Sequence, residues 1–432
     1  MGRILEEDIP DDRLETGPYE RVLLVAVGTD GSDLEESLDE LAELVETAGA
    51  LTVGRVIQLR DTIHPGTYMG SGKVAEVREL LEETGATGIV CDDELSPAQL
   101  RNLEQALETK VMDRTLVILD IFAARAVTSE GKLQVELAQL RYRLARLVGL
   151  GHSLSRLGGG IGTRGPGEKK LEMDRRYIKS RIAQLNREQK ELQQHRQVTR
   201  SRRTEQKLPV AAIVGYTNAG KSSLLNRLTG AKVLSENKLF ATLDPTTRRL
   251  CLEGGQELLL TDTVGFIRKL PHHLIEAFRS TLEEAKYADI ILHVVDASNP
   301  RAEKQMFTVY ETLRSLQVSD KIIVTLFNKQ DVLTGPVILR DFQADKSLPV
   351  SVKTGQGLDD LLHMLEEILL ERQVYVESLF SYDQASQVAQ IRKYGTLLFE
   401  SYEAEGIYVK AYVPRALKGQ LDHALARREK DD

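Results

Sequence analysis

Residues 215–222 read Gly215, Tyr216, Thr217, Asn218, Ala219, Gly220, Lys221, Ser222, a complete Gly-x-x-x-x-Gly-Lys-Ser pattern. An apolar run of strand type, 208–214, leads into it, and a helix-compatible stretch, 222–228, leaves it. Few folds accept that order. The glycines allow a tight loop whose backbone N–H groups, from Asn218 to Ser222, converge on one point at the positive end of a helix. Such a loop cradles phosphate. Lys221 would reach the β and γ oxygens of a polyphosphate, and the Ser222 hydroxyl would ligate Mg²⁺.

Two further elements complete a nucleotide site. The strand-like 258–262 ends in Asp262, Thr263, Val264, Gly265, an Asp-x-x-Gly signature. Its carboxylate would hold Mg²⁺ through water, and the Gly265 amide would report on a γ-phosphate. The apolar run 322–327 ends in Asn328, Lys329, Gln330, Asp331. The Asp331 carboxylate can accept both the N1–H and N2–H donors of guanine, whereas adenine has no N1–H and would leave the carboxylate unsatisfied. Ser351, Val352 and Lys353 would touch the base through their backbone. Upstream, Phe240, Ala241, Thr242, Leu243 and Asp244 form the first mobile segment, with Thr242 as its Mg²⁺ ligand and Thr246 or Thr247 as alternatives. These residues together predict a guanine-nucleotide site in a Ras-like domain.

Ras-like enzymes commonly orient the attacking water with a glutamine after the Asp-x-x-Gly glycine. Here that position is Phe266, which cannot hydrogen-bond through its side chain. No side chain is assigned as the catalytic group, and hydrolysis is expected to be slow without a partner. Asn218 offers one compensation, a K⁺ ion whose charge replaces an arginine; the alternative is a loop-stabilising hydrogen bond.

At 432 residues the chain has room for about three domains. No apolar run approaches the roughly 18 residues a spanning helix needs, and the first 18 residues are acidic and polar rather than a signal peptide. A cytoplasmic protein without membrane insertion is expected. Cys91 and Cys251 fit neither a disulfide framework nor a zinc site and read as buried small hydrophobes. Net charge is −8, but unevenly spread: residues 1–110 hold 25 acidic and 9 basic side chains, residues 164–203 hold 5 acidic and 13 basic. A basic segment in an acidic chain suggests contact with a polyanion, the alternative being a solvated helical face.

Strand and helix patterns alternate over 19–120: strands at 22–28, 51–59, 88–91 and 111–119, helices at 34–48, 74–84 and 97–107. That alternation predicts an N-terminal α/β domain with a parallel sheet. Within it, 69–73 (Met-Gly-Ser-Gly-Lys) reads as a tight turn opening a helix, with an accessory nucleotide or anion site as its alternative. Two long helix-compatible stretches, 131–147 and 173–203, flank 157–168, which has six glycines and one proline. Leu137, Leu140, Leu144 and Leu147 mark a buried stripe on the first. Two helices joined by a glycine-rich tip make a hairpin arm. Glycine lets a backbone approach a phosphate surface, and the basic residues in and beyond the loop add attraction, so the tip is read as probing nucleic acid rather than as a linker. The α/β organisation is thus an N-terminal α/β domain (1–125), a helical arm (126–205), a Ras-like P-loop domain (206–371), and a small C-terminal α+β domain with tail (372–432).

The stretches 68–73, 113–115, 118–122, 158–168, 240–244 and 262–266 taken together resemble those of the bacterial HflX GTPases of the Obg–HflX group, over nearly the whole chain. The resemblance implies a monomeric GTPase that binds the large ribosomal subunit and helps dissociate stalled or stressed ribosomes, with hydrolysis stimulated by the ribosome. It implies rRNA contacts at Gly160, Thr163, Arg164, Lys169, Lys170, Arg175 and Arg176. The chain departs from the pattern at Lys169 and Lys170, where relatives commonly have Thr-Gln, and at Val352, where alanine is usual. A GTP-dependent switch with a non-ribosomal protein or RNA partner is the alternative.

Overall fold

The computed structural model describes residues 20–154, 166–205, 208–231, 239–240, 242–271, 274, 284–333, 335, 339–371, 373–414 and 417–421. The chain forms two compact units. The first comprises Met1–Leu192 with two later segments, Glu236–Asp244 and Arg268–Ser280; the rest of the chain makes the second.

In the first unit, β1 (Arg21–Gly28), β2 (Leu51–Leu59), β3 (Gly88–Cys91) and β4 (Lys110–Asp113) form a fully parallel sheet of order β2-β1-β3-β4. Helices α1 (Gly31–Thr47), α2 (Ser71–Thr84) and α3 (Pro97–Leu107) are the crossovers. β1 is buried on both faces from Val22 to Val27, as a central parallel strand must be. One core gathers Leu23, Val25, Ile89, Val77 and Leu103. The 69–73 stretch is a tight turn: Gly70 is the N-cap of α2, its amide donates to Gln58 Oε1 at 2.9 Å, and Lys73 Nζ pairs with Glu76 Oε2 at 2.7 Å.

The run 111–119, expected as a strand, divides. Only its first three residues extend β4, and α4 (Arg114–Arg125) follows at once. The reason is local: the Asp113 side chain accepts the Leu116 amide at 2.9 Å and caps the helix, so the apolar run is a buried helix face. Asp113 also accepts from the Leu95 amide (3.1 Å) and the Tyr142 hydroxyl (2.7 Å), which ties α5 (Ser129–Leu154) to the sheet.

The arm pairs α5 with α6 (Pro166–Glu205). Leu133, Leu137 and Leu185 are its buried core, with Leu140 and Ile182 packed beside them, and Arg181 grips Glu136 through two hydrogen bonds of 2.7 and 3.0 Å. Because proline suits the first turn of a helix, α6 opens at Pro166, so the last three residues of the expected loop belong to the helix.

In the second unit, β5 (Val210–Gly215), β6 (Thr246–Cys251), β7 (Glu257–Asp262), β8 (Ile290–Asp296), β9 (Ile322–Asn328) and β10 (Lys346–Pro349) make a six-stranded sheet of order β10-β9-β8-β5-β7-β6. Only the edge strand β6 is antiparallel. Helices α7 (Lys221–Thr229), α8 (Ala302–Ser315) and α9 (Leu358–Glu371) follow β5, β8 and β10. Cys251, expected to be buried, is exposed: it lies at the end of the edge strand, on a residue that alternates away from the core; Cys91 is buried. The C-terminal segment adds an antiparallel sheet of order β11-β13-β12 from β11 (Gln373–Phe380), β12 (Thr396–Glu403) and β13 (Gly406–Pro414), with α10 (Ala385–Tyr394) on one face.

Candidate functional site

β5 delivers the chain to the loop at Gly215. Its φ of +154° and the Val294 carbonyl, which would stand 2.2 Å from any added Cβ, leave room for glycine alone. Gly220, at φ +103°, is similarly hemmed in: an added Cβ would meet Asn328 Nδ2 at 2.4 Å. Asn218 is exposed and has φ +60°, a left-handed conformation in which asparagine is favoured among side-chain-bearing residues. Lys221, first in α7, is buried, and its Nζ donates to the Tyr216 carbonyl at 2.7 Å. Burial pushes its pKa down to about 8, with Asp262 pulling the other way.

Beside it, Ser222 Oγ donates to Asp262 Oδ2 at 2.6 Å. The pair offers oxygen ligands only, which suits a hard cation that keeps most of its shell for waters and phosphate. No cluster of three or more His, Cys, Asp or Glu suited to a metal occurs among the described residues. Thr263 Oγ1 donates to the Ile213 carbonyl (2.8 Å), fixing the Asp-x-x-Gly turn to β5. Gly265 faces the loop so closely that an added Cβ would lie 2.9 Å from Thr217 Cα and 3.0 Å from Lys221 Nζ. Val264 is buried. Phe266 is buried too; its amide donates to the Gly215 carbonyl (3.1 Å) and its carbonyl accepts the Thr217 amide (2.8 Å). The residue at the usual water-orienting position thus braces the loop through its backbone, and its side chain is buried and apolar.

The expected base-reading residues converge on the same end of the sheet. Asn328 clasps both sides, its Nδ2 donating to the Ala219 carbonyl (2.8 Å) and its Oδ1 accepting the Val352 amide (3.0 Å). Asp331 Oδ1 accepts from Ser351 Oγ at 2.6 Å, and that hydrogen bond holds its carboxyl below the usual range. Gln330 Nε2 donates to the Phe327 carbonyl (3.0 Å). Lys353 Nζ lies 3.9 Å from Asp331 Oδ2 with its side chain largely exposed. One member of the site escaped sequence reasoning. Asp296, closing β8, pairs with Lys329 Nζ at 2.7 Å, which steadies Lys329 at φ +66°. A carboxylate ending a buried strand was the signal.

Of the first mobile segment, Ala241 lies outside the described residues; Phe240, Thr242, Leu243 and Asp244 belong to the first unit, where Phe240 and Leu243 are buried and Thr242 half-buried. The alternatives Thr246 and Thr247 sit in β6, Thr247 Oγ1 at 3.0 Å from Thr261 Oγ1. Gly160, Thr163 and Arg164 of the arm also lie outside the described residues, whereas Lys169, Lys170, Arg175 and Arg176 fall on α6, with Arg176 exposed and linked to Glu172 at 3.1 Å. No helix among the described residues is long and apolar enough to cross a membrane.

A parallel sheet carrying a phosphate loop, an Asp-x-x-Gly turn and an Asn-Lys-x-Asp base reader defines a P-loop GTPase, and residues 210–329 match the family model described as a 50S ribosome-binding GTPase. Residues 35–123 and 125–203 match the N-terminal and middle-region models of the GTP-binding GTPases. The chain belongs to the HflX family of GTPases: it is 66% identical over 412 residues to GTPase HflX of Lacrimispora saccharolytica, covering 95% of this chain and 97% of that one. The HflX protein of Caldanaerobacter subterraneus subsp. tengcongensis is 48% identical, covering 93% of each. Among solved structures, a GTP-binding protein from Sulfolobus solfataricus in complex with GDP is 25% identical with a TM-score of 0.42, covering 80% of this chain and 97% of that one.

Proposed function

We propose that this GTPase acts on the large ribosomal subunit and helps dissociate stalled or stressed ribosomes. Two observations support the partner: the matched family description names 50S binding, and the basic stretch 164–203 stands in a chain of net charge −8. Polyphosphate would lie along residues 215–222, and Ser222, Thr242 and, through water, Asp262 would hold Mg²⁺. The bound ion would neutralise developing charge on the phosphoryl oxygens. Guanine would be read by Asp331, fixed by Ser351, with Asn328, Lys329 and Gln330 shaping the base pocket and Ser351–Lys353 closing it.

The observation that carries the catalytic reading is buried Phe266. It gives the site no polar group where a glutamine would orient water, so the chemistry waits on a group or ordering contact supplied from outside. GTP turnover is therefore expected to be slow alone and to rise at least about a hundredfold with purified large subunits. Measuring it in K⁺ and in Na⁺ tests Asn218 at once, since a K⁺-dependent rise without subunits would assign the missing charge to the ion. Alanine at Arg164, Lys169 and Lys170 should lower subunit affinity and flatten its dependence on salt. An unchanged salt slope, or no response to subunits, would leave the non-ribosomal switch as the better reading.

The base reader has its own test. Asp331→Asn replaces an acceptor with an amide that can donate to the C2 carbonyl of xanthine but faces the N1–H and N2–H of guanine badly. GTP affinity should fall at least about a hundredfold while XTP binding appears. Loss of GTP binding with no gain of XTP binding would mean that Asp331 holds the loop and not the base.

A further inference from the structure

The carboxylate of Asp244, two residues beyond Thr242, is bonded within the first unit. Its Oδ2 accepts the amides of Val127 (3.0 Å) and Thr128 (2.9 Å), and its Oδ1 accepts the Thr128 hydroxyl (2.5 Å). Thr128 is the residue before α5. Its own Oγ1 accepts the Gly131 amide (3.0 Å) and its carbonyl accepts the Lys132 amide (3.0 Å), so Thr128 is the helix N-cap and Asp244 buttresses it. A negative charge there also opposes the positive end of the helix dipole. Gly131 makes the contact possible, because a Cβ at that position would stand 2.4 Å from Asp244 Oδ1.

The same short segment is anchored at its other end. Phe240 is buried at φ +53°, a conformation that a bulky residue adopts only when its surroundings impose it. Its ring meets Phe122 of α4 edge-on, with centroids 4.7 Å apart. Leu239 and Leu243 are buried alongside. Thr242 thus sits between two anchors that hold α4 and the first turn of α5.

We propose that Asp244 transmits the nucleotide state to the arm: the carboxylate that buttresses the cap of α5 shifts whenever Thr242 is drawn to the metal or released from it. The proposal rests on Thr242 being the switch ligand. Two peptide bonds separate Thr242 from Asp244, too few to absorb a displacement of that ligand. Loss of the buttress frees the Val127 and Thr128 amides and loosens the Thr128 cap, and α5 runs from there for 26 residues toward the glycine-rich stretch 157–168. A purely structural cap would be indifferent to the nucleotide.

Hydrogen exchange at the amides of residues 127–132 in the full chain, saturated with Mg²⁺ and either GDP or a non-hydrolysable GTP analogue, separates the two. The proposal expects rates that differ about fivefold between nucleotides, the size of one helix cap. Thr242→Ala should remove the difference. Gly131→Ala should remove it too, by displacing Asp244, while circular dichroism and GDP affinity stay as in the wild-type chain; alanine in a helix cannot weaken α5 by propensity. Equal protection in both nucleotides overturns the proposal, as does a difference that survives either substitution. Fluorescence titration of both nucleotides distinguishes the deeper failure. If neither binds, the site reading falls with it.

Discussion

Replacing Lys221 with methionine is expected to cut GTP turnover at least about a thousandfold and, at neutral pH, to make the nucleotide-free chain more stable. The two effects have one origin. Lys221 Nζ is buried and donates to the Tyr216 carbonyl, and burial depresses its pKa from 10.5 to about 8. A lysine in that position is a cation kept short of solvent, so a phosphate oxygen can provide what water does not. Since the folded pKa lies below the unfolded one, the chain bears the cost of a buried charge at pH below about 8, and that cost fades as pH rises toward 10.5. The shift corresponds to about 3 kcal/mol at most. Methionine fills the same space without charge and should recover part of it, visible as a higher Tm without nucleotide. The wild-type chain should also lose GTP affinity as pH rises through about 8, where the unliganded amine deprotonates. A methionine variant turning over within tenfold of wild type would place the phosphate-binding charge elsewhere.

The elements that carry the phosphates were legible because their geometry is local. Gly215, Gly220 and Lys221 act within a few residues of one another, and a glycine-lysine-serine run between an apolar strand and a helix has one common structural meaning. Where the reading missed, the deciding contact was elsewhere. The short apolar run 111–119 reads as a strand; the Asp113 cap turns it into helix after Asp113, and that cap's strength comes partly from Leu95 and Tyr142, distant in sequence. Asp296 reaches Lys329 because β8 and β9 lie in register, Asp296 beside Asn328, which no single segment reveals. The grouping of Glu236–Asp244 and Arg268–Ser280 with the first unit is the strongest case. The first contains 240–244, read in the sequence as nucleotide-responsive, but the partners of the two are Thr128, Phe122, Asp33 and Asp92, more than a hundred residues upstream.

Asp92→Ala is expected to be the most damaging single change to the first unit, at about 3–5 kcal/mol, because it removes the buried carboxylate that Arg114 and Lys269 share. Asp92 is fully buried at the end of the β3 strand. Its Oδ1 pairs with Arg114 Nη1 at 2.7 Å, and its Oδ2 accepts from Ser37 Oγ at 2.7 Å and from Lys269 Nζ. Arg114 is itself 1% exposed and its other arm reaches Glu40. Burial pushes the Asp92 carboxyl up while Lys269 pulls it back, which marks a charge whose stability depends on its partners. Removing it takes from Arg114 its fully buried carboxylate, with Glu40 and the Ser37 hydroxyl still beside the guanidinium, and leaves Lys269 with Asp93 (2.8 Å). The cost is therefore that of a buried charge left under-compensated rather than the value of the ion pair, and a double variant separates the two. Asp92→Leu combined with Arg114→Met deletes both buried charges; it should regain more than half of the lost stability, since apolar packing of similar volume often replaces a buried ion pair without loss. Thermal melts of the full chain with GDP bound, which holds the second unit folded, would resolve the first unit's transition. If the double variant melts as low as Asp92→Ala, the cluster is needed for its geometry, and the hydrogen bond from Ser37 becomes the contact to remove next.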